Sequence, residues 1–476
     1  MLFNSLIFAV FFVAVLAVHL APIPWILRKW SLLLASWLFY ASWDPRLLWL
    51  LASLTVGNWL LGRWIERCRA GNRKLALGAS IAANLGVLGF FKYAEFVSRN
   101  LQSLATALGW ELKLTPWEVP LPIGISFFTF EAVAYLVDLY RGQSKASRSL
   151  LDFGLFLSFF PHLVAGPIIR PAHLLPQFET PRRATGAQFG WGMALVVLGL
   201  FEKIVLADQF LAPVAEQVFD ARDGVAPGFL VAWCGTLAFA GQIFCDFAGY
   251  TTTAIGLACC LGFALPENFR RPYAAIGFSD FWRRWHISLS SWLRDYLYIP
   301  LGGSRQGPVR TQVNLMITMV LGGLWHGAAW TFVAWGALHG FLLILERWLR
   351  ASPLARFEFW SRRAGQLVLM LATFVAICFT WVCFRARSVD DMQRVLGGML
   401  GVPAGWTQNP LGDLNVLFTL VIMGGILGVQ AWLRERSTED LAKSTPPWLL
   451  RAVLACMIAA LIISPASDRA FIYFQF

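Results

Sequence analysis

Long apolar runs alternate along this chain with short clusters of basic residues. Crossing a bilayer takes about 20 apolar residues. By that measure the runs near 3–20, 46–62, 75–92, 122–140, 150–168, 189–206, 227–245, 311–327, 329–346, 365–384, 413–433 and 447–464 predict membrane helices. Shorter runs near 31–43 and 250–264 predict re-entrant pieces or extensions of their neighbours. The expected fold class is an all-α polytopic integral membrane protein, with about 11–13 membrane helices plus re-entrant and interfacial helices. One stretch breaks the alternation. Between Phe281 and Gly327 the chain reads FWRRWHISLSSWLRDYLYIPLGGSR, then an apolar segment, then GGLWHGAAW. It is too polar to cross lipid and too aromatic for a solvated loop, so it predicts a membrane-embedded centre around which the rest is built.

Composition supports this reading. The 476 residues are 58% hydrophobic and 14% charged, against about 45–50% and about 25% for soluble domains. Twenty-three tryptophans suit a membrane protein, because indole favours the lipid–water interface. The net charge of +12 is not a nucleic-acid footprint. Its residues cluster between apolar runs (Arg63, Arg67, Arg69, Arg73 and Lys74; Arg141, Lys145 and Arg148; Arg347, Arg350, Arg356, Arg362 and Arg363; Arg434, Arg436 and Lys443), as expected of cytoplasmic loops. The acidic 208–226 connection is expected to face outward, and the tail from 465 to 476 to emerge on the outer side. Met1 to Leu20 lacks the basic start and cleavage site of a signal peptide and reads as a retained first helix. The eight cysteines show neither disulfide nor metal spacing, and no metal site is expected. One membrane domain over 1–476 is expected, with a core over about 120–345, C-terminal helices over 365–464 and the tail beyond.

Two of only six histidines lie in the central stretch. His326 sits in an apolar run between glycines, beside Trp325, which is large enough to wall a cavity. An ionisable group in a membrane run marks a functional site by default, and imidazole can take a proton near neutrality. The residue alone leaves open a structural histidine bonded to a neighbouring helix. His286 sits among arginines and tryptophans. Drawn as one interfacial helix, Trp282, His286, Ser290 and Arg294 share a face opposite Phe281, Trp285, Leu289, Trp292 and Tyr296. Such a helix serves equally to meet lipid phosphates or to hold an anionic donor such as coenzyme A through Arg283, Arg284 and Arg294, with Asp295 beside them. Asp246 in FCDFAGY is a candidate for lining a cavity. Glu202–Lys203 reads as an interfacial pair. Glu131, Asp138 and Glu346 are further embedded carboxylates. His162, between prolines, marks a broken helix with a structural histidine. His19, His173 and His339 read as structural. There is no Walker A, GxSxG, HExxH or post-strand GxGxxG motif, which removes support from ATP-driven transport and from serine or zinc hydrolysis.

The strings PIGISFFTFEAVAYLVDLYRG (122–142), FFPHLVAGPIIRP (159–171), FWRRWHISLSSWLRDYLYIPLGG (281–303) and GGLWHGAAWTFVAWGALHG (322–340) resemble the membrane-bound O-acyltransferase (MBOAT) family. Within it the chain is most similar to the bacterial branch typified by the alginate O-acetylation membrane subunit, with the teichoic-acid D-alanylation subunit as a cousin. The resemblance covers most of 1–400. It implies a many-helix fold around a central funnel, with His326 as principal catalytic histidine and His286 as its companion. It also implies acetyl-CoA as a cytoplasmic donor substrate with no bound cofactor, and a separate exported acetyltransferase partner that completes transfer to an exopolysaccharide such as alginate. The implied location is the bacterial inner membrane, with the C-terminus on the periplasmic side. Where relatives carry an aspartate in GYSDMAIG this chain has Thr252, so no carboxylate role carries over there. The closing FIYFQF resembles a C-terminal aromatic motif of the branch, which makes Tyr473 a candidate acyl relay, with an aromatic interface anchor as the other reading. Two rival classes, a secondary transporter or flippase and a non-catalytic scaffold of an export complex, predict respectively inverted repeats and a dispensable His326. No repeat is visible in the sequence.

Overall fold

The computed structural model describes residues 1–110, 120–221, 226–402, 411–465 and 469–472. The described residues form helices and connecting turns, with no strand among them. Among the described residues six helical stretches are long and apolar enough to cross a bilayer: Gly71–Ala107, Gly186–Phe219, Phe229–Cys260, Trp330–Ala351, Arg363–Arg385 and Asp413–Trp432. Two shorter apolar helices, Leu6–Leu20 and Pro447–Ile463, accompany them. The protein is thus a multi-pass, all-α membrane protein. By contact the chain divides into two compact units, Met1–Val196 with Ala254–Pro266, and Val197–Thr253 with Glu267–Phe476.

The first unit contains α1 (Leu6–Leu20), α2 (Trp25–Ala41), α3 (Leu48–Arg67), α4 (Ala70–Ala107), α5 (Ile125–Arg141), α6 (Leu150–Ser158), α7 (Pro171–Glu179) and most of α8 (Gly186–Leu200). Two runs that read as spans behave differently. α5 is buried from Ile125 to Leu139, because its neighbours are protein on every side. α6 has only nine residues, after which the chain turns through Pro161. At Gly166 the backbone comes so close to His162 that a Cβ would overlap it. Several buried polar groups inside this unit are paired with one another. Lys29 Nζ lies 2.5 Å from Asp152 Oδ1. The Asn58 and Asn84 amides exchange hydrogen bonds of 3.0 and 2.8 Å. Glu131 Oε1 accepts from the Ile169 N–H at 2.9 Å and lies 3.3 Å from His162 Nδ1. His162 is therefore part of the support for a broken segment, as its flanking prolines suggest.

The second unit opens with an eleven-residue π-helix, Phe201–Leu211, that runs into α9 (Ala212–Phe219). It continues with α10 (Phe229–Cys260, through Thr253), α11 (Phe278–Arg284), α12 (Ile287–Leu293), a π-helical turn at Arg294–Tyr298, α13 (Gly307–His326), α14 (Trp330–Ala351), α15 (Arg363–Arg385), α16 (Val389–Met399), α17 (Asp413–Trp432), α18 (Thr438–Ser444) and α19 (Pro447–Ile463). α13 and α14 form the most intimate pair. Gly323 of α13 and Gly336 of α14 face one another, and a Cβ on either would strike backbone, the Phe332 carbonyl in one case and the Met319 carbonyl in the other. Small residues permit this approach without loss of a hydrogen bond, and close backbone packing is a main source of helix association inside a membrane.

Gly323→Ala must therefore push α13 from α14, since rigid backbone cannot yield as a side chain would. Overpacking of this kind costs about 1–3 kcal/mol. A lowered melting temperature of the detergent-solubilised protein is the expected result, and an unchanged one would show that the two helices separate freely.

Candidate active site

The segment that reads as a single interfacial helix is instead broken at its centre. α11 ends at Arg284, Trp285 is extended (φ −100°, ψ 127°), and His286 adopts a left-handed backbone (φ 44°, ψ 55°) immediately before α12. Trp282, His286, Ser290 and Arg294 consequently do not share one face: His286 is fully buried whereas Arg294 is exposed. A left-handed non-glycine residue costs on the order of 1–3 kcal/mol and persists only where its surroundings over-determine it. Asn268 does this here. Its carbonyl accepts the Ile287 N–H at 2.9 Å. Its side-chain Oδ1 accepts from the Ser288 N–H at 3.1 Å and the Ser288 hydroxyl at 2.9 Å, and lies 3.3 Å from His286 Nδ1. Two residues on, the Arg270 N–H donates to the Arg284 carbonyl at 2.8 Å. The stretch 268–270 thus splints both sides of the break, and the splint turns the imidazole inward.

His326 is the last residue of α13, placed by the α13–α14 glycine contact. Its ring centroid lies 6.5 Å from that of His286. Trp325 touches both imidazoles, at 5.0 Å from His326 and 6.1 Å from His286. Trp335 and Phe384 stand edge-on to His326 at 5.0 and 5.2 Å, and Phe247 edge-on to His286 at 4.7 Å. Both imidazoles are thus enclosed by aromatic walls. A neutral imidazole has one nitrogen that accepts and one that donates. The pair can therefore take a proton from a hydroxyl and supply a donor to a developing oxyanion.

The remaining expected site residues are dispersed. Arg283 and Arg294 are exposed, and Arg294 pairs with Asp295 at 2.6 Å. Arg284 is buried, with Nε 2.9 Å from Asp280 and Nη2 3.0 Å from Glu435. It therefore ties α11 to the end of α17. Asp246 pairs with Lys203 at 2.6 Å. Lys203 also donates to Asp208 at 2.8 Å, so the expected Glu202–Lys203 interfacial pair is replaced by a buried Asp208–Lys203–Asp246 cluster. His339, which reads as structural in the sequence, accepts at Nδ1 from the Trp282 indole at 3.2 Å. Tyr473 lies outside the described residues. Among the described residues no cluster of His, Cys, Asp and Glu suits a metal ion. Sequence reasoning missed Asn268 and Asp280. Each has a signal only in three dimensions, because an asparagine and an aspartate at element ends look like ordinary caps.

The chain belongs to the membrane-bound O-acyltransferase family, whose model matches residues 47–386. It is an O-acyltransferase. A probable alginate O-acetylase AlgI of Azotobacter vinelandii is 41% identical over 87% of this chain and 80% of its own length. A peptidoglycan O-acetyltransferase of Helicobacter pylori is 32% identical over 94% of this chain and 91% of its own. A teichoic acid D-alanyltransferase of Streptococcus thermophilus is 31% identical over 48% of this chain and 57% of its own.

The Asp280 carboxylate holds α11, and with it the approach to His286. Burial alone would raise its pKa, but the Ile276 N–H and the Arg284 and Arg434 guanidiniums outweigh burial and hold it below the ordinary carboxylate value. A depressed folded-state pKa gives stability that is complete above the unfolded value of about 3.9 and is lost as pH falls through the folded one. Asp280→Asn should thus melt below the parent at pH 7, and the gap should close as the pH is taken below about 4. A gap independent of pH would assign the loss to packing.

Proposed function

We propose that this protein moves an acetyl group from acetyl-CoA on the cytoplasmic side of a bacterial inner membrane towards an exported polysaccharide, with an exported partner protein completing the transfer. The observation that carries the reading is the enclosed pair His286 and His326, 6.5 Å apart between aromatic walls. The acetylating relatives, one named for alginate and one for peptidoglycan, support acetyl as the group and a polysaccharide as the final acceptor.

His326 acts as the general base. The acceptor O–H gives its proton to the imidazole as its oxygen attacks the thioester carbonyl carbon. A C–O bond forms, the C–S bond breaks, and the proton passes to the departing thiolate of coenzyme A. His286, with one nitrogen facing Asn268, is oriented to steady the tetrahedral oxyanion or to share the proton. Aromatic walls keep water from hydrolysing the thioester. Exposed Arg283 and Arg294 are suited to the phosphates of the donor, whereas Arg284 is spent on Asp280 and Glu435 and holds the site in place. Tyr473 is the proposed first acceptor. A phenol, with a pKa near 10, loses its proton to an imidazole more readily than an alcohol does, and the resulting aryl ester remains reactive enough for hand-off.

The test is mass spectrometry of the purified protein after incubation with acetyl-CoA, alongside coenzyme A release. His326→Ala is expected to lower release by about 10²–10⁴-fold, the usual worth of a general base, with expression and melting unchanged. An acetyl adduct on the C-terminal peptide that vanishes in Tyr473→Phe identifies the relay. Release without an adduct moves the acceptor to a partner or sugar. Undiminished acetylation by His326→Ala removes that histidine from the mechanism.

A further inference from the structure

We propose that Asp246 is a latch that fixes the segment around 469–472 beside the histidine pair, and that Lys203 and Asp208 keep that latch aimed. Asp246 Oδ2 accepts the backbone N–H of Ile472 at 2.7 Å, a bond between residues 226 positions apart in the chain. Its other oxygen lies 2.6 Å from Lys203 Nζ, which in turn donates to Asp208 at 2.8 Å. All three side chains are buried.

The local backbone explains how the cluster forms. Residues five apart in an α-helix point about 140° away from one another, so Lys203 and Asp208 would not meet on one. The π-helix at Phe201–Leu211 joins residues i and i+5 and brings them to the same side. Opposite, Gly199 and Gly249 lie in mutual backbone contact, where a Cβ on either would strike the other's carbonyl, and this lets Lys203 reach across to α10.

The tail is held at further points. Arg469 forms an ion pair with Glu216. Phe471 is buried and stacks on Tyr250 at 4.7 Å, and packs 5.4 Å from Phe247. Phe247 is also the ring that meets His286 edge-on at 4.7 Å, so a single phenyl ring separates the latched tail from the site histidine. Buried charges are expensive, and a cluster with two carboxylates for one ammonium is a poor way to stabilise a helix pair. An acceptor aimed at one backbone N–H is the work it does here. Pinning the Ile472 amide fixes the course of the backbone at 469–472 beside Phe247 and Tyr250.

The geometry of the latch stands by itself. Its catalytic consequence, that Asp246 is a positioning residue for the acceptor, rests on the acyltransferase mechanism proposed above. The variants are Asp246→Leu, which removes the acceptor but leaves Lys203 paired with Asp208, and Asp246→Asn, which keeps an acceptor for the amide. Hydrogen exchange of the full-length protein, read on peptides covering 469–476, needs no activity. In Asp246→Leu the Ile472 amide should exchange about tenfold faster or more, the scale of a lost hydrogen bond to a charged group, while helices α13 and α14 keep their protection. Asp246→Asn should recover much of the difference. Turnover with acetyl-CoA should fall in Asp246→Leu with KM for the donor unchanged, because the donor does not touch the latch. Unchanged exchange at Ile472 overturns the latch. Faster exchange with unchanged turnover overturns its positioning role. A parent protein that releases no coenzyme A refutes the mechanism while leaving the exchange result readable.

Discussion

A polar group inside a protein surrounded by lipid has no water to fall back on, so each must find its partner within the protein. That constraint organises both units. Lys29 meets Asp152, Glu131 meets the Ile169 N–H beside His162, Lys203 meets Asp208 and Asp246, and Arg284 meets Asp280 and Glu435. Apart from Glu435, which is exposed, these partners are buried or half-buried, where salt screens little. Removing one partner of a buried pair typically costs about 3–5 kcal/mol, because the other is left charged and alone. The pairs therefore act as fasteners for segments that could not otherwise depart from regular helix, such as the turn after α6 and the break at His286.

The break at His286 is where the fold shapes the proposed site. An uninterrupted helix from Phe281 to Tyr298 would spread its polar residues along one face, and an imidazole on it would look outward with its arginine neighbours. Left-handed backbone at a single residue redirects that imidazole into an aromatic enclosure. Strain of this kind persists because the 268–270 splint supplies hydrogen bonds on both sides of it. The second histidine arrives by a different route, carried at the end of α13 by a glycine-to-glycine contact with α14. Two unrelated packing devices thus bring together side chains that lie forty positions apart in sequence, on the scaffold of an acyltransferase family.

Much of this was legible before any coordinates. The apolar runs gave the membrane class and several of the long helices, because hydropathy over about 20 residues reports on lipid directly. The central stretch was conspicuous because two of the six histidines lie in it, beside arginines and tryptophans that suit neither lipid nor a solvated loop. Buried helices such as α5 and the nine-residue α6 were read as spans, since a segment enclosed by protein is as apolar as one enclosed by lipid. The helical wheel drawn over 281–296 failed because periodicity carries no sign of a left-handed residue whose cause, Asn268, lies eighteen positions earlier. Lys203 was assigned to its sequence neighbour Glu202 for the same reason: nothing local announces a π-helix, and the true partners are five and forty-three positions away.

The most direct measurement is a cryo-electron microscopy structure of the full chain with a non-hydrolysable acetyl-CoA analogue. The account predicts the acyl carbonyl carbon between the two histidines, with His286 facing the carbonyl oxygen and His326 on the side of attack, about 2.6–3.2 Å from where the acceptor's hydroxyl oxygen must sit. A carbonyl lodged away from both histidines, with the analogue nonetheless bound and ordered, would contradict it.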